Sequence, residues 1–91
     1  MEIKQGDNQF YVLDDLGDTV GNITWTPSDE PNIIIANHTF VDPKMRGQNV
    51  ARILLDKLAA YARKNDLKIH PTCSYVARIF EKEDSYDDIK A

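Results

Sequence analysis

Residues 43–52 form a polar loop whose composition suits a phosphate group. The loop follows an apolar run over 33–41 and precedes the longest helical pattern in the chain. A helix N-terminus presents free backbone N–H groups and the positive end of its dipole, which together favour an anion. Gly47 permits backbone conformations closed to most residues, Asn49 tolerates the left-handed region, and Arg46 adds a fixed cation. The alternative is an ordinary strand-to-helix turn, since many such turns contain glycine and arginine and bind nothing.

Cys73, the single cysteine, could act as a nucleophile. It follows Pro71-Thr72 and falls at or just before a predicted helix N-terminus, with Thr72 or Ser74 expected as the cap. Such a location lowers the pKa of a thiol and makes it a better nucleophile. The alternative is a small buried core residue, because free cysteine is among the most buried residue types.

Two histidines are candidates for proton transfer. His38 lies on the apolar run, and its neutral imidazole could take a proton from an amine or a thiol at physiological pH. A hydrogen-bonded core histidine is the favoured alternative on so apolar a strand. His70 stands near Cys73 in the sequence and could be a base or a bystander, and the bystander is the favoured interpretation. These histidines and the cysteine lack metal-ligand spacing, so we predict no metal site.

The chain before the loop predicts a mainly antiparallel sheet. Apolar, β-branched and aromatic residues predict strands over 8–14 and 19–26, and a short strand over 2–5 could precede them. A nearly unbroken apolar run predicts a further strand over 32–41 that is central in the sheet and covered on both faces.

The chain after the loop predicts two helices and one more strand. Apolar residues recur at helical spacing over 48–64, and this stripe should pack on the sheet. A short strand over 67–70 then follows through a helix, so we expect it to run parallel to the central strand. A second helix is predicted over 74–83. The polar segment 84–89 is expected to be loose, with Tyr86 tucked back onto the fold.

The size and charge of the chain limit the possible functions. Its 91 residues predict one domain, residues 1–91. The net charge of −4 argues against general nucleic-acid binding, and the positive charge is concentrated after residue 45, where an anionic ligand would sit. We expect no signal peptide and no membrane-spanning segment, since no apolar stretch approaches the length that a bilayer requires. A lone thiol suits a reducing cytoplasm, which is the expected location.

The segment from Arg46 to Ala51 resembles the acetyl-CoA pyrophosphate loop of the GCN5-related N-acetyltransferases. That pattern is Arg or Gln, two residues, Gly, one residue, then Gly or Ala; here Arg46 fills the first position and Ala51 the last. The segment His38–Pro43 is similar to the strand end that precedes the loop in this family. The segment Pro71–Val76 is similar to the one that follows the last strand in a minimal, single-domain subgroup, where a cysteine occupies the place of Cys73.

The resemblance implies an α+β fold with a mixed, mostly antiparallel sheet, a parallel β-α-β crossover and two helices. In the family two parallel strands splay apart, and the pantetheine arm of CoA lies in the gap. Residues Thr39, Phe40 and Val41 would line that arm, and a free N–H group there could polarise the thioester carbonyl. The pyrophosphate would contact the N–H groups of Arg46, Gly47, Gln48, Asn49, Val50 and Ala51.

Two residues depart from the family pattern. Asn49 replaces the middle glycine of the loop, so its side chain takes space near the phosphates. Phe80 replaces a tyrosine that in many members reprotonates the CoA thiolate, and a phenyl ring has no proton to give. Tyr75, one turn earlier, is a candidate substitute, with packing as the alternative. This second departure puts ordinary amine acetylation in doubt and leaves CoA binding unaffected.

The resemblance therefore implies an acetyl-CoA-binding acyltransferase that acts on an unidentified amine or thiol acceptor. Cys73 and His38 are its candidate catalytic residues, and the acceptor side is expected to be open in so short a chain. The alternative function is a CoA- or acyl-CoA-binding module with little or no turnover. The third hypothesis for its function is a structural or interaction domain with a vestigial loop.

Overall fold

The computed structural model describes residues 2–91, and Met1, the first residue of the predicted domain, lies outside the described residues. The chain forms one five-stranded sheet in the order β1-β2-β3-β4-β5. The first four strands pair antiparallel and β5 pairs parallel with β4. The predicted fold class and the parallel crossover are therefore confirmed. The bounds are β1 Glu2–Gly6, β2 Gln9–Leu13, β3 Thr19–Pro27, β4 Ile33–Val41, α1 Val50–Lys64, β5 Lys68–Pro71 and α2 Ser74–Lys82.

A single core lies between the sheet and the two helices. The apolar stripe of α1 packs on the sheet as predicted, and each of its three buried leucines contributes about 1.5–3 kcal/mol of burial free energy. Helix α2 adds Val76 and Phe80 to the same core. The sheet contributes alternate residues from β2, β3, β4 and β5, which are Phe10, Val12, Val20, Ile23, Trp25, Ile34, Ala36 and Ile69.

Strand β4 is covered on one face only, so the expectation of two covered faces is wrong. Ile34 and Ala36 are buried, whereas Asn37, His38 and Phe40 are exposed. The buried residues of α1 and α2 belong to one cluster with the inner face of the sheet, and no helix among residues 2–91 lies on the other face. We call that other side the open face.

The segment after α2 is ordered, so the expectation of a loose tail is wrong. Residues Asp84–Ile89 form a 3-10 helix in which Tyr86 and Ile89 are buried. Lys90 then forms an isolated bridge with Ile69 on the outer edge of β5. The predicted return of Tyr86 onto the fold is confirmed, and its ring stacks on Phe80 at a centroid distance of 5.4 Å.

Candidate functional site

The sheet opens at the point where the β4–β5 ladder ends. The last paired residues are Ala36 and Pro71, and the N–H groups of Thr72 and Cys73 both donate to the carbonyl oxygen of Ala36, at 2.9 and 3.0 Å. Beyond this point β4 continues to Val41 while the chain turns into α2. The remaining part of β4 therefore has no strand on that side, and we call this opening the gap.

A bulge in β4 decides which backbone groups face the gap. Thr24 pairs with His38 while Trp25 pairs with Ala36, so Asn37 is an extra residue in β4. Beyond the bulge the N–H of Asp42 donates to Val20 in β3, at 2.8 Å. Backbone groups alternate along an antiparallel strand, so the backbones of residues 38, 40 and 42 face β3. Those of Thr39 and Val41 face the gap.

Of the three residues predicted to line a pantetheine arm, two therefore direct their backbones into the gap. Phe40 instead pairs with Asn22 of β3, and its side chain is 40% exposed on the open face. Only every second residue of a strand can direct its backbone to a given neighbour. The bulge at Asn37 decides that these residues are Thr39 and Val41 rather than Phe40.

We call residues Arg46–Ala51 the phosphate loop, after the group that they are predicted to bind. This segment has the predicted backbone conformation. Gly47 has φ 84° and Asn49 has φ 61°, both in the left-handed region. Asn49 is the N-cap residue of α1 and makes no side-chain cap hydrogen bond; its left-handed backbone lies outside the helical region, so the helix begins at Val50 rather than at residue 48. Val50 is buried, so the loop is fixed to the core at its helical end.

Four of the six N–H groups predicted to contact a pyrophosphate have no acceptor within residues 2–91. These are the N–H groups of Gly47, Asn49, Val50 and Ala51. The other two are used inside the loop, because Arg46 donates to Pro43 at 3.1 Å and Gln48 donates to Met45 at 3.3 Å. The side chain of Arg46 is exposed and forms no salt bridge in the described part of the chain. The loop thus combines four free donors with a free cation.

Cys73 lies at the gap as the N-cap residue of α2. Its half-buried Sγ is 3.3 Å from Thr39 Oγ1. The prediction that Thr72 or Ser74 caps the helix is wrong, since Cys73 itself takes the cap position and makes no side-chain cap hydrogen bond. The Thr72 hydroxyl instead donates to the Ala36 carbonyl oxygen, at 3.4 Å.

The surroundings of Cys73 favour its thiolate. Burial raises the pKa of the thiol, but the polar groups around the sulfur lower it by more. The Thr39 hydroxyl contributes most, followed by the nearby N–H groups of Val76, Tyr75 and Thr39, which favour the thiolate without making a cap hydrogen bond. The net pKa lies below the ordinary value of a thiol, which is the direction expected for a nucleophile at a helix N-terminus.

His38 lies on the open face and is exposed, so its interpretation as a core histidine is wrong. Adjacent residues of a strand point to opposite faces, so the His38 and Thr39 side chains diverge. The Thr39 side chain contacts Cys73, whereas the His38 imidazole has no hydrogen bond within residues 2–91. His70 is exposed on β5 opposite Ile35. The structure therefore joins Cys73 to Thr39 and leaves His38 on the opposite side of the sheet.

No local sequence pattern indicates two of the contacts near the site. One is the bond between the Thr39 and Cys73 side chains, which lie 34 residues apart. The other joins Arg52 of α1 to Glu83 after α2, 31 residues away. Neither pair follows a helix or strand period, so no local pattern could have predicted them.

The two aromatic candidates for proton donation differ in their surroundings. Phe80 is buried at 3% exposure, in the core. Tyr75 is half-buried, and burial raises the pKa of its phenol, which therefore stays protonated at neutral pH.

In the described chain, no group of three or more His, Cys, Asp or Glu side chains could hold a metal ion. None of the helices that the structure describes has the length and apolarity needed to cross a bilayer.

A family model and a solved structure relate the chain to the same family. The family described as GCN5-related N-acetyl-transferase matches residues 9–89. The solution structure of a GCN5-like protein from Staphylococcus aureus is 41% identical with a TM-score of 0.82, and the match covers 99% of this chain and 87% of that one. No curated protein matches the chain.

Two enzymes share the fold at lower identity. One is the ribosomal-protein-S18-alanine N-acetyltransferase from Escherichia coli, at 16% identity and a TM-score of 0.65, covering 86% of this chain and 53% of that one. The other is N-acetylglutamate synthase from Neisseria gonorrhoeae, solved with coenzyme A and N-acetyl-glutamate, at 14% identity and a TM-score of 0.68. That match covers 82% of this chain and 18% of the synthase, so the chain spans about half of one enzyme and a small part of the other.

Proposed function

This chain belongs to the GCN5-related N-acetyltransferase family, and from that premise we propose that it is an acyltransferase. It binds acetyl-CoA, accepts the acetyl group on Cys73 and passes that group to an amine or a thiol. The observation that carries the proposal is the placement of two groups along one stretch of chain. The phosphate loop follows the unpaired end of β4, and the Cys73 thiol contacts Thr39 on that same end.

The cofactor would be held mainly by backbone atoms. The free N–H groups of Gly47, Asn49, Val50 and Ala51 suit the oxygens of a diphosphate at the positive end of α1. Arg46 adds a cation that no carboxylate in residues 2–91 neutralises. The backbones of Thr39 and Val41 offer a strand edge to the amide groups of the arm, in the manner of an added strand.

The thiol chemistry follows from this placement. The Cys73 thiolate attacks the carbonyl carbon of the thioester, a new C–S bond forms, and the bond to the CoA sulfur breaks. The N–H of Val41 faces the gap and is a donor available to the developing oxyanion. The departing CoA thiolate takes its proton from solvent or from Tyr75, since Phe80 has none to give.

The acceptor would approach Cys73 through the gap. An amine attacks the acetyl group on Cys73, the new C–N bond forms, the Cys73 thiolate leaves, and the proton that the amine loses passes to solvent. His38 is exposed on the opposite side of the sheet from the contact between Thr39 and Cys73, so this step does not use its imidazole.

A binding module with little turnover is the second candidate function. It is favoured by Phe80, which is buried where many members carry a proton donor, and by the absence of any helix of residues 2–91 on the open face. In this case the phosphate loop would work as proposed and Cys73 would only line the gap. The two functions therefore differ in what happens to the thiol.

Incubation with acetyl-CoA distinguishes the two functions. We expect the intact mass of the protein to rise by one acetyl group, and we expect no rise in Cys73→Ala. An excess of free CoA should suppress the labelling, because both compounds would compete for the same loop. A parent protein that gains no mass, or gains it equally in Cys73→Ala, would reject the acyl-enzyme and leave the binding module.

A further inference from the structure

Four side chains connect the start of α1 to the end of α2. The Arg52 guanidinium donates two hydrogen bonds to the Glu83 carboxylate, Nη1 to Oε2 at 2.8 Å and Nη2 to Oε1 at 2.5 Å. Its Nε donates to the Tyr86 hydroxyl at 2.7 Å, and that hydroxyl donates to the Asp56 carboxylate. We call this set the Arg52 clip.

The clip has the features of a specific link rather than a loose surface pair. The side chains of Arg52 and Glu83 are 30% and 34% exposed, and the bidentate geometry fixes the guanidinium plane. Burial and the bond to Asp56 raise the pKa of Tyr86 to about 12, so its hydroxyl remains a donor across the physiological range. The guanidinium also lies over the Tyr86 ring, 5.5 Å from its centroid.

The position of the clip relates it to both parts of the site. Arg52 lies in the first turn of α1, directly after the phosphate loop. Glu83 is the C-cap residue of α2, whose N-cap is Cys73. The apolar residues of α1 and α2 share one core, and the clip adds a polar link between the two helices at its surface.

We propose that the Arg52 clip is a positioning device that holds α2 against α1, so that Cys73, the N-cap residue of α2, keeps its side chain against the Thr39 hydroxyl. Glu83 and Tyr86 are then positioning residues, since neither touches the sulfur. The catalytic meaning of this role rests on the proposed function. The effect on the thiol itself does not, because it can be measured without acetyl-CoA.

The test is the pH profile of Cys73 alkylation by iodoacetamide in Glu83→Gln, which the single cysteine makes simple to follow. We expect the midpoint to move to higher pH and the rate at neutral pH to fall about threefold, because a displaced α2 weakens the contact between the Cys73 sulfur and the Thr39 hydroxyl that favours the thiolate. The direction of the pKa shift separates two explanations. Removing the negative charge of Glu83 would by itself lower the pKa of the Cys73 thiol, so an upward shift reports a change of position.

Asp88→Asn is the matched control. Asp88 forms a bidentate pair with Arg63 of α1, at 2.8 and 3.0 Å, and belongs to the same segment after α2. This pair does not involve α2, so we expect its loss to leave the midpoint of the pH profile unchanged, even if both variants melt at lower temperature. Tyr86→Phe keeps the packed ring and should shift the midpoint in the same direction as Glu83→Gln, by a smaller amount.

The outcomes separate the two proposals. Equal midpoints in the parent protein, Glu83→Gln and Tyr86→Phe would overturn the role of the clip. If Glu83→Gln does not fold, Tyr86→Phe alone decides the question. A shifted alkylation midpoint in a protein that acetyl-CoA fails to label would reject the acyl-enzyme and retain the clip. Labelling of Cys73 by acetyl-CoA together with unchanged alkylation midpoints would retain the acyl-enzyme and reject the role of the clip.

Discussion

The first turns of α1 and α2 offer the same backbone groups to two different partners. At α1, four N–H groups of the exposed phosphate loop have no acceptor in the part of the chain that the structure describes. At α2, the N–H groups of Tyr75 and Val76 lie beside the thiol of Cys73, which belongs to the chain itself, and contribute to lowering its pKa. One helix N-terminus is thus free for an exchangeable anion, and the other adjoins a side chain whose charged form it favours.

The two sites also depend on different parts of the sequence. The α1 site is built locally, because the left-handed residues Gly47 and Asn49 turn the backbone directly before the helix. The α2 site is built by a distant contact, since Thr39 on β4 places its hydroxyl 3.3 Å from the Cys73 sulfur. Substitutions in the loop should therefore change cofactor affinity and spare the thiol. Substitution of Thr39 should first change the thiol.

Gly47→Val should give the largest effect among these substitutions. A β-branched residue is strained at φ 84°, and a penalty of about 1–2 kcal/mol on the loop conformation weakens CoA binding about tenfold. Calorimetric titration with CoA measures this loss. Gly17→Val is the control, because Gly17 has φ 85° in the β2–β3 turn and its Cβ would also meet nothing within 4 Å. Equal affinities in the two variants would contradict the assignment of the loop.

Thr39→Val should slow alkylation of Cys73 at neutral pH about fivefold. The substitution keeps the shape of the side chain and removes the hydroxyl that lowers the pKa of the thiol, so a smaller fraction is thiolate. The alkylation rate should recover as the pH rises above the ordinary pKa of a thiol. Thr26→Val, a half-buried change on β3, is the control. An unchanged pH profile in Thr39→Val would show that the hydroxyl does not act on the sulfur.

Arg46→Gln should give the smallest effect, a loss of CoA affinity of about threefold that shrinks as salt is added, because an exposed cation is well screened. Lys44→Gln is the comparison, since Lys44 is already paired with Asp14 at 3.1 Å. Binding constants at two salt concentrations decide between them. Equal losses in both variants would mean that general positive charge, and not Arg46, attracts the cofactor.

Much of the fold could be predicted because it follows local periodicity. The strands and helices lie within two residues of the predicted bounds, and Gly47 and Asn49 adopt the expected conformation. Coverage of β4 could not be predicted this way, because it depends on which elements the rest of the chain supplies. Ile33 and Ile35 make the run look buried on both faces, yet both side chains are only half-buried on the open face.

The contacts that define the thiol site were beyond local patterns. Cys73 could be placed near a helix start from Pro71 and the residues that follow, which gave the direction of its pKa shift. Its partner Thr39 depends on the register of β4 after the bulge at Asn37, and no sequence period encodes that bulge. The order of residues 84–89 was missed for a similar reason, since Ile89 finds its burial only against the assembled core.

The proposed function depends above all on the free N–H groups of the phosphate loop, which hold the diphosphate of CoA. Titration of the ¹⁵N-labelled protein with CoA, followed by amide NMR, observes these groups one by one. We expect the amide signals of Gly47, Asn49, Val50 and Ala51 to shift most, and we expect a similar change with ADP as a diphosphate probe. Saturation by CoA with those four signals unmoved would contradict this role of the loop.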